Sequence, residues 1–144
     1  NGRGLDNRTA EKSMIGTKEI YTVLKADSGV LALVTNAGTV EKPNYRIAAA
    51  TVEPKTWQVT ESTITIYQSG ADLLGEIYDV NHTVNCRAST ETKAKNLARA
   101  VATALHRVTF PKIMFYCSVE QVIPPADETD NFNNPVTVRV MGTK

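Results

Sequence analysis

The sequence predicts an α+β domain: an antiparallel sheet with helices packed on one face, and extended hairpins or loops at its margins. Three observations carry this. Segments 63–67, 76–88, 112–123 and 136–140 place apolar residues at nearly every second position, as strands with one buried face do. Segment 90–107 switches to the i, i+3, i+4, i+7 spacing of a helix with one apolar stripe. The strands flanking that helix fall into pairs, and pairs joined by hairpins favour an antiparallel sheet with its helices to one side.

Taken in order, residues 1–13 (NGRGLDNRTAEKS) hold two glycines and five charged side chains. They leave no apolar face, so a flexible N-terminal arm is expected there. Residues 14–144 are expected to form a single domain, since one domain takes ~100–200 residues. Ile20, Val23 and Leu24 have helical spacing, with Met14 and Ile15 upstream. Ser28 is placed to cap a second short helix carrying Val30, Leu31, Leu33 and Val34, because a side-chain oxygen there satisfies first-turn N–H groups. Asn36 and Gly38 supply its stop.

Residues 39–61 are harder to read. Tyr45, Ile47 and Ala49 alternate with Arg46 and Ala48, between Pro43 and Pro54; Trp57 and Val59 alternate with Thr56 and Gln58. Two strands in an extended hairpin, or a long excursion from the body, are expected. Trp57 is a core residue if this segment packs inward, and a contact residue if it projects. Ser69–Asp72 breaks the strand begun at Thr63. On 76–88, His82 lies on the apolar face with Val80, Val84 and Cys86. With no second histidine or carboxylate in support, it reads as a partly buried histidine with a local hydrogen bond rather than a ligand or base. Cys86 and Cys117 are expected as free buried thiols; because both fall on strands, a disulfide is the alternative.

Ser89 or Thr90 is placed to cap the 90–107 helix, and Glu91 suits its positive end. Lys93, Lys95, Arg99 and Arg107 line its polar side. That stripe is a solvated face, or a site for phosphate or an acidic partner. Beyond Pro111, residues Ile113, Phe115, Cys117, Val119 and Ile123 share one face of a long strand. Residues 124–135 (PPADETDNFNNP) form a long acidic loop with Asp127, Glu128, Asp130 and Phe132. It lacks the central glycine and final glutamate of a calcium loop. Val136, Val138 and Val140 make the last strand.

Sixteen basic against fifteen acidic residues leave a net charge of +1, unlike the strong basic excess of a dedicated nucleic-acid binder. No apolar run approaches the ~18 residues of a membrane span, and no secretory signal pattern is visible at the start. Phosphate-binding glycine loops, GxSxG and HExxH are absent. Neither His82 nor His106 has an evident nucleophile partner. No catalytic residue, metal site or cofactor site is expected, which leaves a structural or interaction module. Two other classes stay open: a small cytosolic enzyme or ligand-binding domain using His82 and the 93/95/99 stripe, and a nucleic-acid module on that stripe.

Four segments in order carry a resemblance: KEIYTVLKADSGVLALVTNAG (18–38), STITIYQSG (62–70), EIYDVNHTVNCRASTETKAKNLARAVATALH (76–106) and FYCSVEQVIPPADETDNFNNPVTVRVMG (115–142). Together they resemble the tail terminator (tail-completion) proteins of long-tailed bacteriophages. The chain departs from that family at Ser62-Thr63, where Pro-Tyr is frequent, and over the long 39–61 stretch. The resemblance implies a non-catalytic virion protein of the tail and neck, assembled in the host cytoplasm. It implies a ring, usually of six copies, between the tail tube protein and the head-completion (stopper) protein. Genomic DNA passes through the lumen without sequence-specific binding, and no membrane or cofactor takes part. A stopper, adaptor or tube protein is the alternative within the same class. Candidate interface residues are Tyr45 and Trp57 on the 41–60 stretch, and Asp127, Glu128, Asp130 and Phe132 on the 124–135 loop. Phe132 is expected to bury itself against another subunit or a neck partner, or to fold back onto its own domain.

Overall fold

Helix α1 (Thr17–Ala26) opens at Gly16, whose backbone N–H donates to Glu19 Oε2 at 3.2 Å, one half of a capping box. The computed structural model describes residues 16–72 and 77–143, so the arm expected over 1–13 lies outside the described residues. Gly16 adopts a left-handed φ of 95°. A Cβ there would stand 2.8 Å from Val140 and 2.9 Å from His82, so only glycine fits this close approach. Ile20 and Leu24 bury the helix's apolar stripe.

The second helix, α2, is a single turn, Ser28–Leu31. Its cap is Asp27 rather than Ser28: Asp27 Oδ1 accepts from Val30 N at 2.9 Å. Asn36 does not stop this helix. Its Oδ1 accepts from Gly38 N and Asn44 N, closing the turn that brings Asn36 beside Tyr45.

The expected hairpin over 39–61 does not form. Only β1 (Ile47–Ala48) is strand, and it runs parallel to β2 (Thr63–Asp72). Beyond it, local bonds curl the chain into turns: Trp57 N donates to Pro54 O, and Gln58 N to Glu61 Oε1. β2 also runs through the expected break at Ser69–Asp72, because a bulge between Gln68 and Gly70 absorbs the irregularity without ending the ladder.

β3 (Ile77–Ala88) is followed by helix α3 (Glu91–Leu105), capped by Thr90, whose Oγ1 accepts from Lys93 N at 3.2 Å. Arg107, at φ 64°, reverses the chain into β4 (Thr109–Phe110). This short strand before Pro111 was not expected; it forms a tight hairpin with β5 (Ile113–Val119) through Lys112, at φ 75°. β5 ends four residues before Ile123, and Val119 and Ile123 are exposed rather than in the core. The closing strand β6 (Phe132–Thr143) begins inside the expected 124–135 loop. Pro135 is tolerated there. Its carbonyl accepts from Glu120 N at 2.9 Å, and the Glu120 carbonyl that a residue 135 N–H would reach accepts from Asn134 Nδ2 at 2.7 Å instead, so the missing donor leaves no acceptor empty.

The sheet has the order β1-β2-β3-β6-β5-β4, antiparallel except for the β1–β2 pair. It is therefore mixed, and the fold is α+β. The helices cover one face, where Ile64, Ile66, Val80, Val84, Phe115, Val136, Val138 and Val140 meet Ile20, Leu24, Leu97, Val101 and Leu105. The alanines of α3 let it lie close on the strands: Ala94 and Ala98 are fully buried.

Candidate functional site

His82 sits at the centre of the helix-covered face and is fully buried. Its hydrogen bond is not local. Nε2 lies 2.7 Å from Thr17 Oγ1, 65 positions away, and Nδ1 has no partner among the described residues. Burial pushes its pKa down to about 4, so the imidazole is neutral over most of the pH range. It does not meet Arg99. That guanidinium lines two surface cavities of about 350 and 340 Å³, one with Asp27, Asn96 and Thr103, the other with Lys95, Val119 and Glu120. His82 is thus a structural latch between β3 and the start of α1. Both cysteines are free; Cys86 is buried and Cys117 half-buried. Burial raises both thiols, Cys117 to about 12, which keeps the reactive thiolate scarce.

On the opposite face the sheet has no helix among the described residues. Its lower end is covered by two loops, 49–62 and 120–131, which a polar cluster ties together. Thr63 Oγ1 donates to Glu53 Oε2 at 2.6 Å. Arg87, on β3, lies 3.4 Å from Glu53 and 3.8 Å from Asp130, one residue on each loop. The Glu53 contact is an ion pair without hydrogen-bond alignment, and Arg87 Nε has no hydrogen-bond partner. Asn131 Nδ2 donates to Val59 O at 3.2 Å, and Asn133 Nδ2 to Asn85 Oδ1 at 3.1 Å. Apart from Asp130, none of these residues stood out in the sequence. The available signal was the row of polar residues alternating with the apolar ones along β3 and β6.

Of the six interface candidates, Trp57 lies on the 49–62 loop, Asp127, Glu128 and Asp130 on the 120–131 loop, Phe132 on β6, and Tyr45 just ahead of β1. Tyr45 is half-buried, its ring 5.8 Å from the Lys25 ammonium. Trp57 is half-buried rather than core, with the Arg46 guanidinium 5.7 Å over its ring. Arg46 also pairs with Glu61 at 2.9 Å. Burial raises the Glu61 carboxyl, but the Gln58 N–H and Arg46 together outweigh it and hold it below its usual range. Asp127 and Glu128 are exposed. Two bonds from Thr129 hold the Asp127 carboxyl low. Asp130 is exposed and faces Arg87. Phe132 is half-buried at the first position of β6, paired with Ala88. The structure brings the two loops together through Val59, Glu53, Arg87 and Asn131. Of the six candidates only Asp130 takes part in that junction.

The basic stripe of α3 is exposed at Lys93, Lys95 and Arg99, with Lys95 3.5 Å from Glu91. Among the described residues no group of three or more His, Cys, Asp or Glu side chains is placed to hold a metal ion, and no helix is long and apolar enough to cross a membrane.

No family model matches this chain, and no curated protein does. Among solved structures, a chain in the virion of a native gene transfer agent (GTA) particle is similar: 17% identity, TM-score 0.51, covering 87% of this chain and 92% of that one. At that identity the likeness is one of fold, and it extends over nearly the whole of both chains.

Proposed function

We propose that this chain is a structural, non-catalytic component of a phage-like virion, and within it the ring that terminates the tail tube and joins it to the neck. The observation that carries the virion reading is the fold shared, over 87% of this chain and 92% of the other, with a chain of a gene transfer agent particle. The four-segment resemblance to tail terminators narrows it to the tail–neck junction. The partners are then further copies of itself, the tail tube protein and the stopper, with DNA in the lumen.

The site chemistry agrees with this reading. His82 is sealed in the core and pushed toward its neutral form, and Arg99 opens onto different cavities, so the pair on which an enzymatic reading depended does not converge. The exposed loops carry charge and half-buried aromatic rings, the composition of an interface rim with anchors.

The experiment is electron microscopy of purified protein, alone and mixed with tail tubes. Rings of uniform diameter that cap tube ends are expected. Rings that form but seat elsewhere in the particle would move the chain to the stopper, adaptor or tube role, and a chain absent from purified particles would overturn the virion reading.

A further inference from the structure

Two surface patches at one end of the sheet are complementary, and they lie on opposite faces. The first is on the helix side, where α3 runs beside the end of β5. A groove of about 340 Å³ separates them, with Lys95 and Arg99 on one wall and Val119 and Val122 on the other. The two cations stand four residues apart, so they share one exposed face of α3. Arg99 enters no ion pair among the described residues, and Lys95 only its exposed contact with Glu91. The acid on this groove, Glu120, turns its carboxylate away to accept from Thr137 Oγ1 at 2.9 Å. Val119 continues the apolar row of Phe115 and Cys117 beyond the core and is 48% exposed.

The second patch is on the loop-covered side. Ile123 bridges to Asn133, and residues paired directly across antiparallel backbone share a face. Its side chain therefore lies on the face opposite the helices, and it is 52% exposed. Asp127 and Glu128 follow, both exposed and in no ion pair among the described residues. The loop holds them in a set shape. Thr129 N donates to Asp127 Oδ1 at 2.8 Å, while Asp130 beside Arg87 and Asn131 on Val59 O tie the end of the loop down. A segment already shaped gives up little further freedom on binding.

The sheet stands between the two patches, and no ion pair joins them within the chain among the described residues. Each patch supplies what the other lacks: two cations beside an exposed valine, two acids beside an exposed isoleucine. Two cations flanked by Glu91 are a small footprint for nucleic acid, which is gripped by many basic contacts, whereas they match the two acids one for one. Because the patches face opposite ways, one copy fills both only by meeting two different neighbours.

We propose that copies of this chain join head to tail through these patches, the 123–130 loop of one copy seated on the α3–β5 groove of the next. Asp127 and Glu128 meet Lys95 and Arg99, and Ile123 covers Val119. This rests on the assembly reading above and names its contact. The interface is heterologous, so it closes into a ring when the rotation per copy allows. Exposed ion pairs are weak singly and screened by salt, so the joint loosens as salt rises.

The test is an exchange of charge. Lys95→Glu with Arg99→Glu makes the groove acidic. Asp127→Asn with Glu128→Lys makes the loop basic and keeps an acceptor for Thr129 at position 127. Either double variant alone sets like charges against each other at every joint. Self-association by light scattering is expected to weaken about ten-fold or more, with circular dichroism unchanged because all four side chains are exposed. Mixed in equal amounts, the two variants restore opposite charges at every joint and should assemble as alternating copies. A wild type that assembles while both variants do so equally well would overturn this joint and leave the assembly reading standing, as would two defective variants that mixing fails to rescue. Loss of duplex DNA binding by the groove variant with self-association intact would reassign the groove to nucleic acid and overturn the proposal. Wild-type association gives an independent readout: it should weaken from low to high salt, and indifference to salt would overturn the joint. A wild type monomeric at every concentration, and with tail tubes present, would overturn both readings.

Discussion

The two faces of this sheet come from the same strands and are built on opposite terms. On the helix side the alternate positions are mostly apolar, and burial there holds His82 and the thiols of Cys86 and Cys117 in their neutral forms. On the other side the same strands offer Thr63, Asn85, Arg87 and Asn133, and burial there comes from loops stitched down by polar bonds. Apolar burial is non-directional and tolerates small misfits, so the first face holds the fold together. A polar cover depends on each bond being made. Here several atoms, Arg87 Nε and Asn133 Oδ1 among them, lack a hydrogen-bond partner among the described residues. The difference teaches where this molecule can change shape: the loop-covered face has the smaller margin, and its loops carry four of the candidate contact residues, Trp57, Asp127, Glu128 and Asp130.

The largest effect that would separate the faces is Phe115→Ala on the dry side. It is expected to cost ~3–5 kcal/mol and to lower the thermal midpoint of the whole domain in one transition. Titrating His82 comes next. Its folded pKa is near 4, below the unfolded value of about 6.5. The unfolded chain therefore binds more protons between those values, and stability should be full above pH ~6.5 and fall as pH drops toward 4, by about 3 kcal/mol in all. A His82→Leu variant should lose that slope in denaturant melts across the same window; a wild-type slope in the variant would assign it to another group.

Arg87→Ala should cost less, about 1–3 kcal/mol, because it frees one carboxylate on each loop. Hydrogen exchange should speed up in 49–62 and 126–131 while β3 and β6 stay protected; uniform loosening of the sheet would erase the contrast between the faces. The smallest effect belongs to Asp79 and Arg139, paired at 2.8 Å on the open face. The Arg139 guanidinium keeps the Asp79 carboxyl below its usual range. Both groups are solvated, so Asp79→Ala should leave the thermal midpoint within measurement error, and any shift should vanish in high salt.

Periodic segments were legible because one alternation constrains many residues at once: β3, α3 and the start of β2 lie where their spacing places them. The 39–61 stretch was not, since its two short alternations suit turns equally well, and Pro54 and Glu61 supplied turn bonds that outweighed strand propensity. The candidate contacts were legible only as residue types. That Trp57 stacks under Arg46, and that Arg87 spans the two loops, required knowing which segments meet.

The sequence by itself determined the α+β class, the apolar face of each long strand, the α3 helix with its cap, and the absence of familiar catalytic patterns. Those follow from local propensity and period, which act within a few residues. Only the tertiary structure decided that β1 lies parallel on β2, that Phe132–Pro135 extends β6, and that His82 bonds a threonine 65 positions away. Each of these is a long-range pairing. Its free energy depends on which distant segment supplies the partner, and no local pattern encodes that choice.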